Sequence, residues 1–125
     1  MSEIVSKLKV PSEGNILVLN APIEFQELIK EVSFDTVPAN TRLGKYDYVQ
    51  IFSVTQKSID ALIKQYAKAG KRDCMLWLTY PKSGGTIKSD IKREAVVKAL
   101  EKSKLKAVTT VVIDETWSAL RARPA

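Results

Sequence analysis

A lysine, a serine, two adjacent glycines and a threonine stand in a row at Lys82, Ser83, Gly84, Gly85 and Thr86, directly after the apolar run of residues 74–80. Adjacent glycines reach positive φ at no steric cost, so consecutive N–H groups can turn inward as an anion nest. The Lys82 ammonium and the Ser83 and Thr86 hydroxyls add charge and donors. A second polar segment, Asp114-Glu115-Thr116-Trp117, closes the next apolar run, and Arg121 follows it. The expected site therefore has Lys82, Ser83, Gly84, Gly85 and Thr86 as donors to a phosphate or carboxylate, with Asp114, Trp117 and Arg121 shaping the adjacent rim. The plainer reading of the same residues is a surface loop, with Asp114 capping its turn and pairing with Arg121 or Arg123, and Trp77 and Trp117 as core and corner residues.

Other chemistry is missing. The chain has no histidine, which removes Ser-His-Asp and Cys-His arrangements, the usual zinc sites and the side chain best suited to proton transfer near neutral pH. Asp114 and Glu115 are too few for a metal site. The one cysteine, Cys74, lies in an apolar run and reads as a small buried hydrophobe. The turn Asn20-Ala21-Pro22 has no glycine, and Pro22 removes an N–H donor. It argues against a dinucleotide or S-adenosylmethionine, which want a glycine-rich turn for close backbone approach. No cofactor and no metal are expected.

At 125 residues the chain is read as one domain, 1–125, with residues 1–14 as an N-terminal helix or arm. It is long enough to bury a core without disulfide or metal. No run of about 18 apolar residues spans a membrane, and the first residues are too polar for a signal peptide, so a cytoplasmic place is expected. The net charge of +6 is uneven: residues 1–63 carry six Lys and Arg against eight Asp and Glu, and residues 64–125 carry fourteen against six. Such asymmetry marks an anionic partner or a solubilising lysine coat. Lysines outnumber arginines three to one, which favours the coat, since phosphate and base recognition enriches arginine.

These residues must be positioned by alternating strands and helices. Ile4, Val5 and Leu8 share one side of a short helix over 2–9, stopped by Pro11-Ser12-Glu13-Gly14. Residues 15–20 form a strand covered on both faces. Pro22 opens a helix whose face is Phe25, Leu28, Ile29 and Val32. A short strand over 34–38 ends at Pro38, and 39–45 connect to a strand over 46–53. Thr55 or a neighbour caps a helix with Ile59, Leu62, Ile63 and Tyr66 inward, closed by Gly70. A strand over 73–80 follows. Asp90 is the N-cap of a helix over 91–102, with a capping box to Glu94 and with Ile91, Ala95, Val96 and Leu100 inward. Residues 107–113 form a strand, and 117–123 return antiparallel as the edge strand. The fold class is α/β: a small three-layer Rossmann-like sandwich with a mainly parallel sheet of about 5–6 strands. In such a sheet ligands sit outside the carboxyl ends of the strands, where Asn20-Ala21-Pro22, Ser53-Val54-Thr55, residues 81–89 and residues 114–117 are expected. The proposed pocket needs Tyr80 and Ile113 to finish neighbouring parallel strands.

Trp77-Leu78-Thr79-Tyr80-Pro81-Lys82 and Asp114-Glu115-Thr116-Trp117-Ser118-Ala119-Leu120-Arg121 resemble the small bacterial family catalogued as domain of unknown function number 3052. The resemblance covers residues 15–124, through Trp77, Tyr80, Pro81, Lys82, Asp114, Trp117, Ser118 and Arg121. It implies a cytoplasmic α/β protein with no assigned reaction, so no catalytic residue is carried over. Ala122 departs from the aromatic expected there.

The sequence reading is thus a non-catalytic protein binding an anionic small molecule at the carboxyl ends of the strands. The alternative is an interaction or regulatory module that forms a homodimer through the edge strand 118–124. Nucleic acid ranks lower, for want of a recognition motif. A histidine-free enzyme using Asp114, Lys82 and Tyr80 ranks last.

Overall fold

Apolar runs without a polar side need cover on both faces, and the buried runs of this chain lie in one sheet of five strands, the fourth in chain order being largely exposed. The strands are β1 (Ile16–Leu19), β2 (Tyr46–Phe52), β3 (Gly70–Pro81), β4 (Leu105–Val112) and β5 (Trp117–Pro124). The computed structural model describes residues 3–125; the first two residues of the chain, with the start of the expected first helix, lie outside the described residues. The sheet order is β1-β2-β3-β5-β4. β1, β2 and β3 run parallel. β5 runs antiparallel to both β3 and β4.

Helices cover both faces, as the α/β reading expected. α3 (Gln56–Tyr66) and α4 (Arg93–Lys102) bury Ile59, Ile63, Val96 and Leu100 in a core shared with Leu17, Val49, Ile51, Leu78 and Leu120. α1 (Glu3–Lys7) and α2 (Ile23–Leu28) lie on the other face. There Val5, Leu8, Phe25 and Ile29 share a core with Val18, Tyr48, Trp77 and Ala119. Val5, Leu8 and Val10 pack the N-terminal helix and its end onto this core. Leu8 is fully buried, and its carbonyl accepts a hydrogen bond from the Trp77 indole at 3.0 Å. Trp77 is a core residue, as expected.

Several expectations are corrected. Residues 34–38 form no strand: Asp35 makes one isolated parallel bridge to Leu17. Leu28 is 44% exposed, because α2 ends there and Ile29 and Val32 reach the core from the turn beyond it. Gly70 opens β3 instead of closing α3. Asp90 is not the cap of α4, whose N-cap is Lys92 with no side-chain bond. The Asp90 carboxylate accepts instead from the Gln56 N–H at 2.8 Å, at the start of α3. Thr55 does cap α3, accepting from the Ser58 N–H at 3.2 Å.

The largest correction concerns β5. It is antiparallel, as expected, but it sits inside the sheet with β4 outside it. Residues 118–122 are paired on both edges, and residues 123 and 124 on the β4 side, so this strand offers no free edge to a second copy. Tyr80 and Ile113 still mark one rim. Tyr80 and Val112 are both in register with Ser118, so the ends of β3 and β4 meet the start of β5 from either side.

Candidate functional site

β1, β2 and β3 are parallel, and β4 lies parallel to them across β5, so Leu19, Phe52, Pro81 and Val112 all finish at one end of the sheet. Ligand sites of open α/β sheets lie at this rim. Trp117 stands at its centre. The indole meets the Phe52 ring edge-on, with centroids 5.2 Å apart, and Phe52 meets Phe25 at 5.0 Å. A cavity opens on each side of Trp117. The first, about 300 Å³, is lined by Asn20, Phe52, Ser53, Val54, Thr55, Ser58 and Trp117. The second, about 390 Å³, is bounded by α2 through Pro22, Glu24 and Phe25, and by Thr86, Asp114 and Thr116 opposite.

Local structure explains both walls. Asn20 takes a left-handed φ of 60° directly after β1. Asparagine tolerates that conformation better than most residues, so the turn is made without glycine. Its amide donates to the Phe52 carbonyl at 3.4 Å, tying the ends of β1 and β2 together. Pro22 stands before α2 and has no N–H to offer. On the other wall the Asp114 carboxylate accepts from the Thr116 and Trp117 N–H groups, each at 2.8 Å. That turn aims Trp117 at the rim.

The two polar loops do meet. The Lys82 N–H donates to the Thr116 carbonyl at 2.7 Å, and the Thr86 and Thr116 hydroxyls share a hydrogen bond of 2.8 Å. The expected set of N–H donors is reduced, however. The Gly85 N–H closes a turn onto the Lys82 carbonyl at 3.0 Å, so two of the expected N–H donors are engaged within the protein. Gly84 has a φ of 76° and open space around it. Gly85 is packed: a Cβ there would lie 2.7 Å from the Glu115 carbonyl oxygen. Of the expected residues, Thr86, Asp114 and Trp117 line a cavity; Lys82, Ser83, Gly84, Gly85 and Arg121 do not. Arg121 is opposite Trp77 and Thr109 in the interior of β5, well below the rim. It pairs with no carboxylate among the described residues. Sequence reasoning put Asn20 and the Ser53-Val54-Thr55 turn at this rim without choosing them as ligand residues, and it missed Ser58 and Glu24. The signal was position alone, since Asn20 follows the first strand, Ser53 the next, and Glu24 opens a helix.

Beneath the rim lies a closed polar chain. The Tyr48 hydroxyl donates to Gln50 Oε1 at 2.7 Å, and Gln50 Nε2 donates to Thr79 Oγ1 at 3.0 Å. Burial holds the Tyr48 phenol protonated far above its ordinary range. Further out, the Asp35 carboxylate accepts from the Tyr46 hydroxyl and from Arg42, and the Tyr46 bond leads in pulling it below the ordinary carboxylate value. Both groups are structural, since neither lines a cavity at the rim.

The charge lining the two rim cavities does not favour an anion. Neither cavity is lined by a lysine or arginine, and the second carries the carboxylates Glu24 and Asp114.

No family model matches the sequence, and no curated protein does. Solved structures do match the fold. An Aquifex aeolicus SAM dependent methyltransferase superposes with a TM-score of 0.62 at 9% identity, over 96% of this chain and 88% of its own. The magnesium protoporphyrin IX methyltransferase ChlM of Synechocystis, with bound SAH, gives 0.61 at 16% identity, over 98% and 81%. The tRNA methyltransferase TrmK of B. subtilis gives 0.61 at 10% identity, over 100% and 67%. The expectation of a non-catalytic anion binder is overturned by these likenesses to methyltransferases, and the interior place of β5 removes the sheet edge expected to pair two copies. The chain has the Rossmann-like fold of methyltransferases.

Proposed function

We propose that this chain is a methyltransferase-type protein whose working site is the rim cleft around Trp117, and that S-adenosylmethionine is the group it takes. The observation that carries the reading is the lining: hydroxyls, an amide, an indole and two carboxylates set among apolar side chains such as Phe25, Phe52 and Ile113, with no cationic side chain. S-adenosylmethionine joins a hydroxylated nucleoside to a positively charged sulfonium and, when bound, supplies an electrophilic methyl group. The residues present fit both halves. Asn20, Ser53, Thr55 and Ser58 have donors and acceptors for a nucleoside. Glu24, Asp114 and the face of Trp117 suit a positive charge. Asn20 supplies the left-handed step a glycine would make, and Pro22 leaves the turn one donor short, so binding rests on side chains more than on backbone.

The test is titration calorimetry with S-adenosylmethionine against S-adenosylhomocysteine, which lacks the sulfonium charge. The charged compound should bind about twofold to fivefold more tightly, the range an exposed charge pair provides. Glu24→Gln with Asp114→Asn should erase that preference. Failure of both compounds to bind saturably would overturn the reading.

We also infer membership of family 3052. The two segments that carry the resemblance are partners in space: Tyr80 pairs with Ser118, Pro81 with Trp117, and Lys82 bonds to Thr116. A bacterial, cytoplasmic protein is part of that inference. Among the described residues no helix is long and apolar enough to cross a membrane.

A further inference from the structure

A cavity of about 450 Å³ lies at the other end of the sheet, where β3 and β4 begin and β5 ends. Its floor is apolar: Cys74, Leu76, Leu105 and Ala122. Its border carries Lys68, Lys71, Arg72 and Lys104, with Ser103, Pro124 and Ala125 beside them and no carboxylate side chain in the lining. This is the reverse of the rim, where the carboxylates stand and the cations do not.

Two backbone irregularities build it. β3 leaves register with β2 between Gly70 and Met75, so residues 71–74 bulge outward. Bulges re-aim side chains at sheet ends, and this one carries Lys71 and Arg72. Gly70 is required at its base: a Cβ there would lie 2.4 Å from Cys74 Sγ and 3.1 Å from the Tyr46 carbonyl oxygen. Opposite, Lys104 turns the chain from α4 into β4 with a left-handed φ of 62°.

Lysines near helix C-termini complement the helix dipole, and that accounts for Lys68 after α3 and Lys104 after α4. It does not account for Lys71 and Arg72, which belong to a strand. Lys71 pairs with Asp47 at 2.7 Å. Among the described residues Lys68, Arg72 and Lys104 have no carboxylate within 4.0 Å. Asp73 shares the bulge and lies outside the lining, but its charge and that of Asp47 reach Cys74, where burial first and these carboxylates next push the thiol up to about 11. An apolar floor under three unpaired cations suits a molecule with a hydrophobic body and one anionic head.

We propose that this basal cavity is a second ligand site, for a small amphipathic anion: an aromatic or aliphatic body bearing a carboxylate or a phosphate. Cys74, the only cysteine in the chain, is part of its floor and reports on occupancy. The test uses three matched probes, 1-naphthoate, 1-naphthyl phosphate and 1-naphthylmethylammonium, on the whole chain. At least one anion should bind saturably and protect Cys74 from a maleimide, and the tighter of the two identifies the head group. Arg72→Glu or Lys104→Glu, each a surface change that circular dichroism can verify as folded, should weaken that anion about tenfold. Equal binding of the ammonium probe, an unchanged maleimide rate at saturation, or unweakened binding in both folded variants overturns the proposal.

Discussion

Trp117 stands edge-on to Phe52, with ring planes at 79°, and this single contact separates the rim into its two cavities. It joins the last strand to the second, across β3. The same indole follows the turn capped by Asp114, so its position depends on that carboxylate as well as on Phe52. Wall, divider and turn are one unit, and changes at any of them should be felt at the others.

Trp117→Ala should lower stability by about 3 kcal/mol, the low end for loss of a large aromatic from packed surroundings. It should also merge the two cavities and abolish nucleoside binding. Trp117→Phe keeps an aromatic contact with Phe52 and should lose about 1 kcal/mol. Urea unfolding of the two variants checks the order.

The buried chain Tyr48–Gln50–Thr79 should behave as one unit. Thr79→Val leaves a Gln50 donor unmet, and Tyr48→Phe leaves its acceptor unmet. Each should cost about 1–3 kcal/mol, the penalty for a buried polar group without a partner. With Gln50→Leu already present, Thr79→Val should cost markedly less. A double-mutant cycle measured by urea unfolding gives the coupling; strict additivity would contradict it.

Acid should expose two carboxylates. Asp35 is held below its ordinary value first by the Tyr46 hydroxyl and also by Arg42, and Asp47 first by Lys71 and then by the Asn15 N–H. A depressed folded-state pKa means stability that is full above the unfolded value, about 3.9, and lost as pH falls through the folded one. Urea midpoints should therefore hold steady from neutrality to near pH 5 and drop below pH 4. Tyr46→Phe should flatten the drop by removing the leading cause at Asp35.

Gly85→Ala and Gly84→Ala separate two uses of glycine. At Gly84 the cost is the left-handed backbone alone, about 1 kcal/mol. At Gly85 the new Cβ meets backbone oxygens of Glu115 and Lys82, so the loop must move away from residues 114–116. Gly85→Ala should lower the melting temperature more than Gly84→Ala, and it alone should change binding at the Thr86–Thr116 wall.

Much was legible without coordinates. Ile59 and Ile63 of α3, Val96 and Leu100 of α4, and the continuous runs of β1 and β2 were recognisable, because periodicities of 3.6 and 2 record which side of an element is buried. The common rim was legible too, since strands joined by helices must run parallel and end together. Thr55 was readable as a cap, whereas Asp90 was not. Which N–H a carboxylate reaches depends on what lies beside it, and for Asp90 that neighbour is Gln56, far away in sequence.

The order of the strands had no local record. Trp117, Ala119 and Arg121 alternate with Ser118, Leu120 and Ala122 in the same way whether β5 is an edge or lies within the sheet. Pairing with β3 on one side and β4 on the other settled that, through hydrogen bonds between residues distant in sequence. The charge of the rim was equally non-local. Lys82 and Arg121 suggested an anion site by composition, but their strand and loop positions leave them outside the lining, while Glu24 reaches it from α2. A side chain's type is written in the chain; the cavity it faces is decided by packing.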